Sequence, residues 1–180
     1  MKNAKILTTA LCLALGAMAA SCNKPEAAKP AADMGKIAAA VKADANQLVS
    51  DFNAHDAVKA VSHDADGILI MFHGAPNATG KDADLATTRQ QLADPAAKLA
   101  LSNESVDVAA SGDLAVYRAT YAFTYTDPKT KKPITENGNW LVGYKPQADG
   151  SWKIVWDVVS DTGPSPAATP AAGAPTNTTS

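Results

Sequence analysis

The spacing of the apolar residues changes near the middle of this chain, and that change restricts the fold. Between residues 36 and 54 apolar side chains recur at three- and four-residue steps, which predicts an amphipathic helix Lys36–Ala54 of about five turns. From Leu114 to Thr126 apolar and polar residues alternate instead, as in a half-buried strand. Helices that precede a run of strands predict an α+β fold, in which the helices pack on one face of a mainly antiparallel sheet.

Further elements complete this prediction. They are a short helix Asp56–Ser62, a buried strand Ile68–Phe72, a helix Lys81–Ala93, and strands over 106–110, 140–144 and 152–160. On the long strand, one face carries Tyr117, Ala119, Tyr121, Phe123 and Tyr125, and the other carries Val116, Arg118, Thr120, Ala122 and Thr124. The first of these faces is the more aromatic and is a candidate for the core or for a pocket wall.

The N-terminus has the pattern of an export signal. Lys2 and Lys5 precede a 15-residue apolar stretch, Ile6–Ala20, and small residues follow it. Cys12 lies within this segment, so the mature chain keeps only Cys22 and cannot form an intrachain disulfide.

The residues Ala19-Ala20-Ser21-Cys22 resemble the lipobox of bacterial lipoproteins. The resemblance implies cleavage after residue 21 and lipidation of Cys22, which makes the membrane a partner of the chain. Asn23 after the cysteine implies a bacterial envelope location, at the outer membrane facing the periplasm. The alternative is an ordinary secretory signal that leaves Cys22 free.

The remaining chain divides by composition. Residues 1–21 are the predicted signal peptide, and residues 22–35 are the lipidated cysteine and a flexible Pro/Ala/Lys tether. Residues 162–180 contain no charged side chain and are predicted to be a disordered Pro/Ala/Thr tail. The predicted folded domain is therefore 36–161.

Charge and motif content exclude several functions. The chain has 16 Lys+Arg against 18 Asp+Glu, and this balance argues against a nucleic-acid surface. It contains no Gly-x-Ser-x-Gly nucleophile motif and no glycine-rich phosphate loop.

Four stretches carry a resemblance to a known superfamily. They are Phe52–Asp56, His63–Gly67 before an apolar strand, the glycine-rich segment Gly74–Ala83, and Asp149–Ile154, which reads Asp-Gly-Ser-Trp-Lys-Ile. In this order and spacing they resemble the SnoaL-like, ketosteroid isomerase-like superfamily, also named after nuclear transport factor 2. The resemblance implies a cone-shaped fold, in which a curved sheet wraps a long helix around a pocket, and frequent homodimers. It implies no particular reaction, because such folds host many functions.

Three histidines, His55, His63 and His73, lie near several carboxylates within 20 residues. Their spacing does not converge as zinc ligands do, so we expect no metal and no cofactor. We expect instead that Asp56 caps the second helix while the histidines occupy solvated turns. Asp51 and Asn53 are expected on the solvated face of the first helix.

Asp157 is the candidate catalytic residue, because a carboxylic acid on a half-buried strand can have a raised pKa and transfer protons. It alternates with Val155 and Val159, opposite Ile154 and Trp156, and which face is concave stays open. The alternative is an Asp157 that faces solvent or pairs with Arg118.

Tyr121, Tyr125 and Trp140 are the candidate ligand-binding residues, since pockets combine aromatic walls with a few polar groups. The alternative is that these aromatic side chains belong to the core or to a dimer interface. The sequence thus favours a lipid-anchored envelope domain that binds a small, largely apolar molecule or a protein partner. The alternatives are an isomerase- or dehydratase-type enzyme, with Asp157 and a tyrosine in proton transfer, and a protein whose filled pocket leaves only an interaction surface.

Overall fold

The computed structural model describes residues 32–163. The predicted signal peptide, Cys22 and nearly all of the predicted tail lie outside the described residues. The described elements are the helices α1 (Met34–Asn53), α2 (Ala57–Val61) and α3 (Lys81–Leu92), and the strands β1 (Asp64–Phe72), β2 (Ala78–Thr79), β3 (Lys98–Val108), β4 (Ala115–Thr126), β5 (Pro133–Pro146) and β6 (Trp152–Asp161).

Helix α1 begins two residues before its predicted start. The Asp33 side chain accepts a hydrogen bond from the Lys36 backbone N–H at 3.1 Å, which caps the first turn. The last residues of the predicted tether, Met34 and Gly35, are therefore helical. The buried positions on α1 are Val41, Ala45 and Phe52, in agreement with the predicted apolar stripe.

All six strands form one sheet in the order β2-β1-β6-β5-β4-β3. Strand β1 runs parallel to β6, and every other neighbouring pair is antiparallel. The predicted α+β class with a mainly antiparallel sheet is confirmed. Because β1 and β6 are joined side by side, residues from the two ends of the domain meet at the centre of the sheet.

Strands β3 and β1 start earlier than predicted, and so does β5, which begins at Pro133. Strand β3 begins at Lys98, because its first half pairs with the second half of β4 before a register shift between Ser102 and Ser105. Asn103 adopts a φ of 54° within that irregularity, which interrupts the alternation of side chains. Strand β1 likewise begins at Asp64, and its register with β6 shifts between Asp64 and Leu69.

The core lies between α1 and the concave face of the sheet. Val41 and Ala45 of the helix are fully buried there against side chains from four strands: Ile68, Tyr117, Trp140, Val142, Tyr144 and Ile154. The aromatic face of β4 points into this core, as its pattern suggested. Burial of these apolar side chains is the main favourable contribution to folding.

A bulge in β6 changes the predicted facing of the last strand. Gly143 pairs with Trp156 while the next residue, Tyr144, pairs with Ile154, so Val155 is an extra residue in the ladder. Ile154 is buried in the core, and Asp157 lines the cavity on the same concave side of the sheet. The prediction that Ile154 and Asp157 lie on opposite faces is therefore wrong, because strict alternation does not survive a bulge.

Within residues 32–163, every helix falls short of the length and apolarity needed to cross a membrane.

Gly143 is required by close packing, since a Cβ at this position would lie 2.3 Å from the Trp156 ring. We expect Gly143→Ala to lower the free energy of unfolding by about 1–3 kcal/mol, because the ring or the bulged strand has to move. Urea unfolding followed by circular dichroism measures the change. Gly67→Ala in β1 is the matched control, since a Cβ there meets nothing within 4 Å. Equal stability of the two variants would contradict this account of the bulge.

Candidate functional site

A cavity of about 340 Å³ lies between the helices and the concave face of the sheet. Side chains from all three helices and from strands β1, β3, β4, β5 and β6 contribute to its wall. They are Leu48, Phe52, Ala60, Val61, Asp64, Phe72, His73, Ala75, Asp84, Thr88, Gln91, Leu99, Tyr121, Phe123, Tyr125, Glu136, Trp140, Asp157 and Val159. The volume lies at the small end of the range for ligand pockets, about 300–1,000 Å³.

Asp157 lies in the wall of this cavity, on β6. The Trp140 Nε1–H donates a hydrogen bond to Asp157 Oδ1 at 2.6 Å. Burial raises the pKa of Asp157 to about 7, although the bond from Trp140 opposes the rise and the charge of Asp84 adds to it. Asp157 therefore does not face solvent, because it lines the cavity. It does not pair with Arg118 either, because Arg118 pairs with Asp107 at 2.7 Å.

Two further carboxyl groups, which were not predicted as site residues, line the same cavity. Asp64 lies at the start of β1 and is 3% exposed, and Asp84 lies in the first turn of α3. Burial is the main cause that raises the pKa of both groups. The hydrogen bond between them raises the pKa of Asp64 and lowers that of Asp84, as expected when a neutral Asp64 donates to an Asp84 carboxylate.

The three predicted ligand-binding residues all line the cavity. Tyr121 donates its hydroxyl hydrogen to Glu136, and burial together with this bond raises the pKa of Tyr121. Its ring lies over Gly138 on the paired strand, where a Cβ would be 2.5 Å from the ring. Tyr125 stacks on Phe123 with ring centroids 5.4 Å apart.

The Trp140 side chain is held by both a ring contact and a hydrogen bond. Its ring packs edge-to-face against Tyr117 at 5.5 Å, while its N–H bonds Asp157. Tyr117 in turn donates to Glu104 at 3.0 Å. Hydrogen bonds to Asp157 and Glu136 therefore fix the positions of Trp140 and Tyr121 in the cavity wall.

His73 and Glu136 form a partly exposed section of the wall. His73 Nε2 lies 3.5 Å from Glu136 Oε2 and 3.2 Å from Asp161 Oδ2. Glu136 is thus shared between His73 and Tyr121, and it joins the aromatic wall to the solvent-exposed side of the site.

The predictions for the other polar residues are partly wrong. Asp56 caps α2 by accepting from the Lys59 N–H at 3.0 Å, as predicted. His63, however, is only 7% exposed and lies between Asp44 at 2.7 Å and Asp51 at 3.3 Å. Burial alone would lower the pKa of His63, but the bonds and charges of the two carboxylates outweigh it and raise the pKa. Asp51 is consequently an ion-pair partner rather than part of a solvated face.

Asn53 is also engaged in tertiary structure. Its side chain donates to the Leu99 carbonyl and accepts from the Leu99 N–H, both at 2.8 Å, which ties the end of α1 to β3. In the described part of the chain, His, Cys, Asp and Glu side chains form no group of three or more that could hold a metal ion.

The sequence contained weak signals for what was missed. Asp44 and Asp51 are seven residues apart, which places them on one face of α1, and His63 precedes a predicted buried strand. In the sequence, Asp84 looked like an ordinary acidic residue in the first turn of a helix, where the helix dipole stabilises a negative charge. Only the packing of α3 against β1 brings it to Asp64.

Solved structures share this architecture. A ketosteroid isomerase-like protein from Erwinia carotovora atroseptica matches with a TM-score of 0.59 and 22% identity, over 70% of this chain and 96% of that chain. A proposed dehydratase of the nuclear transport factor 2-like family from Streptomyces avermitilis matches with a TM-score of 0.61 and 16% identity, over 71% and 97% of the two chains.

A third structure is a nuclear transport factor 2-like protein with a cystatin-like fold from Novosphingobium aromaticivorans, with a TM-score of 0.54 and 18% identity over 69% and 80% of the chains. No protein-family model and no curated protein matches the sequence. The described domain therefore has the nuclear transport factor 2-like fold, the α+β cone that the sequence resemblance implied.

The raised pKa of Asp157 predicts a pH dependence of stability. The folded domain shifts this pKa from 3.8 to about 7, so it retains a proton that the unfolded chain has released. The free energy of unfolding should therefore fall by roughly 2–3 kcal/mol from this group between pH 5 and about 7.5. Asp157→Asn should flatten that slope, because its amide oxygen still accepts from Trp140 but does not titrate.

Urea unfolding at several pH values between 5 and 8 measures the slope. Asp82→Asn is the matched control, since Asp82 is exposed on the same helix as Asp84. If Asp157→Asn and Asp82→Asn had the same slope as the unchanged protein, Asp157 would not have a raised pKa.

Proposed function

We propose that this domain binds a small, largely apolar molecule in the cavity between α1 and the sheet. The observation that carries the proposal is a cavity of about 340 Å³ whose wall is mainly aliphatic and aromatic, with a few polar groups at fixed positions. This combination is typical of small-molecule sites. A third interpretation, a filled pocket with only an interaction surface, is disfavoured by the size of the cavity.

The polar groups are arranged to orient such a molecule. Asp157 is held by Trp140 at one position in the wall, and the Tyr121–Glu136–His73 group lies at another. An apolar ligand with a polar end would bury its body against the aromatic rings and pair its polar end with a carboxyl group. Because these groups are already hydrogen-bonded, little ordering would be required on binding.

A proton-transfer enzyme is the second candidate, and the state of Asp157 favours it. A carboxyl group with a pKa of about 7 in a ligand-sized cavity exchanges a proton readily at neutral pH. Tyr121 has a raised pKa and remains a neutral hydroxyl there. The structural neighbours described as ketosteroid isomerase-like and as a proposed dehydratase support this candidate at the level of fold.

A thermal-shift screen of the purified full-length protein tests ligand binding. Sterols, polyketide phenols, fatty acids and aromatic acids form the panel. A ligand present at about 100 times its dissociation constant should add about 2.7 kcal/mol to stability, a shift of several degrees in Tm. Tyr125→Ala should reduce the shift, whereas Val58→Ala, at an exposed position outside the cavity, should not.

The same screen separates a binding protein from an enzyme. If a bound compound is turned over, Asp157→Asn should lower its turnover by a much larger factor than it lowers its affinity. If no member of the panel, nor the amine series described below, shifts Tm or binds, the cavity is not a working pocket.

We also propose that the chain acts at the bacterial envelope, anchored at the outer membrane through a lipid on Cys22 and paired as a homodimer. The sequence Ala19-Ala20-Ser21-Cys22 and the apolar stretch before it support the anchor.

Cys22→Ser tests the anchor. In cell fractionation, the Cys22→Ser protein should appear in the soluble fraction instead of the membrane fraction, or as an unprocessed precursor of higher mass. A processed Cys22→Ser protein that stayed in the membrane fraction would rule out lipidation as the cause of attachment. Ser21→Ala serves as the control, because it keeps the cysteine and a small residue before it.

A further inference from the structure

We propose that the ligand of this cavity is an apolar molecule that carries a protonated amine, held by Asp64, Asp84 and Asp157. This inference rests on the proposed function, because it names the chemical class of molecule that the same cavity takes. It is carried by the charge of the wall, by the placement of the three carboxyl groups, and by an acceptor atom that lacks a donor.

The cavity wall is acidic although the chain as a whole is nearly neutral. Four carboxyl side chains line it, against one imidazole and no lysine or arginine. The imidazole, His73, already lies between Glu136 and Asp161, so it is not placed to neutralise the other three carboxyl groups. A ligand with a carboxylate or phosphate would therefore meet no lysine or arginine in the wall.

The three remaining carboxyl groups come from different elements and line the same cavity. Asp64 belongs to β1, Asp84 to α3 and Asp157 to β6. The charge of Asp84 raises the pKa of both Asp64 and Asp157, and the charge of Asp157 raises that of Asp64. Strands β1 and β6 are adjacent, and α3 packs against β1, which explains why the groups meet.

One oxygen of this group lacks a partner. Asp64 is 3% exposed and lines the cavity, and its Oδ2 is buried without a hydrogen-bond donor among residues 32–163 when the carboxyl groups are ionised. The nearest amine, Lys81, donates its Nζ hydrogen to the Asp64 backbone carbonyl at 3.1 Å rather than to the carboxylate. A buried acceptor without a donor costs free energy, so an ionised Asp64 needs a donor that no other side chain provides among residues 32–163.

In the empty cavity a proton provides that donor. Burial and the mutual repulsion of the carboxyl groups raise the pKa of Asp64 and Asp157, so that the cluster keeps protons near neutral pH. A protonated amine can replace these protons, because it carries both hydrogen-bond donors and a positive charge. Its binding should therefore release protons from the cluster.

The rest of the wall suits the body of such a molecule. Tyr121, Tyr125 and Trp140 present aromatic rings, which attract cations as well as apolar groups. The aliphatic side chains Leu48, Val61 and Val159 complete the apolar surface. A small apolar amine thus matches the shape, the apolar area and the charge of the cavity, whereas a neutral molecule matches only the first two.

A matched series of three naphthalene compounds tests the proposal. They are 1-naphthylmethylamine, 1-naphthylmethanol and 1-naphthoate, which share one ring system and differ in the polar group. Isothermal titration of the purified full-length protein at pH 7, with detergent-only blanks, gives their affinities. Repetition in two buffers of different ionisation enthalpy gives the number of protons released.

We expect the amine to bind at least tenfold more tightly than either the alcohol or naphthoate, and to release protons on binding. Asp84→Asn should remove most of the preference for the amine over the alcohol. Asp82→Asn, which deletes the same charge from an exposed position on the same helix, should leave the preference intact.

The opposite results are distinguishable from one another. If the alcohol or naphthoate binds as tightly as the amine, or if Asp82→Asn and Asp84→Asn behave alike, the inference is wrong and the proposed small-molecule function stands. If none of the three compounds binds and the thermal-shift panel gives no shift, both proposals are overturned.

Discussion

The structure depends on how one helix fills a concave sheet. The middle of α1 places Val41 and Ala45, both fully buried, in one core cluster with Tyr117 and Tyr144. The last turns of α1 present Leu48 and Phe52 to the cavity, where Phe52 also packs edge-to-face on Phe123 of the sheet. A single straight helix cannot follow a curved sheet along its whole length. The helix therefore fills the core with some of its side chains and borders the cavity with others.

The carboxyl groups that line the cavity are not explained by a contribution to stability. Ionised carboxylates buried beside one another destabilise a fold, and the domain limits that cost by retaining protons and by the Trp140–Asp157 hydrogen bond. A different solution appears on the other side of α1, where His63 is paired with both Asp44 and Asp51. The group at His63 places one imidazole between two carboxylates, whereas no basic side chain bonds the carboxyl groups of Asp64, Asp84 or Asp157 among residues 32–163. That difference separates a structural polar group from a candidate binding site.

The site residues that could be predicted were those whose position follows from the pattern of neighbouring residues. Tyr121, Tyr125 and Trp140 were identified because alternation on long strands shows which side chains share a face, and all three line the cavity. Asp157 was identified as an acid on a half-buried strand, but its face was left open because the bulge at Val155 has no clear mark in the sequence. Asp64 and Asp84 were missed as site residues, since each has an ordinary local explanation, at a strand entry and in the first turn of a helix.

The sequence by itself determined the α+β class, the order of nearly all the elements and the aromatic face of β4, because helical and strand periodicities are properties of neighbouring residues. Only the tertiary structure decided the parallel pairing of β1 with β6, the bulge that turns Asp157 to the concave side, and the meeting of three carboxyl groups from three elements. These features depend on contacts between residues as far apart as Asp64 and Asp157, and the register of such contacts is set by the packing of the whole domain. Local pattern shows which side chains share a face, and packing decides what that face encloses.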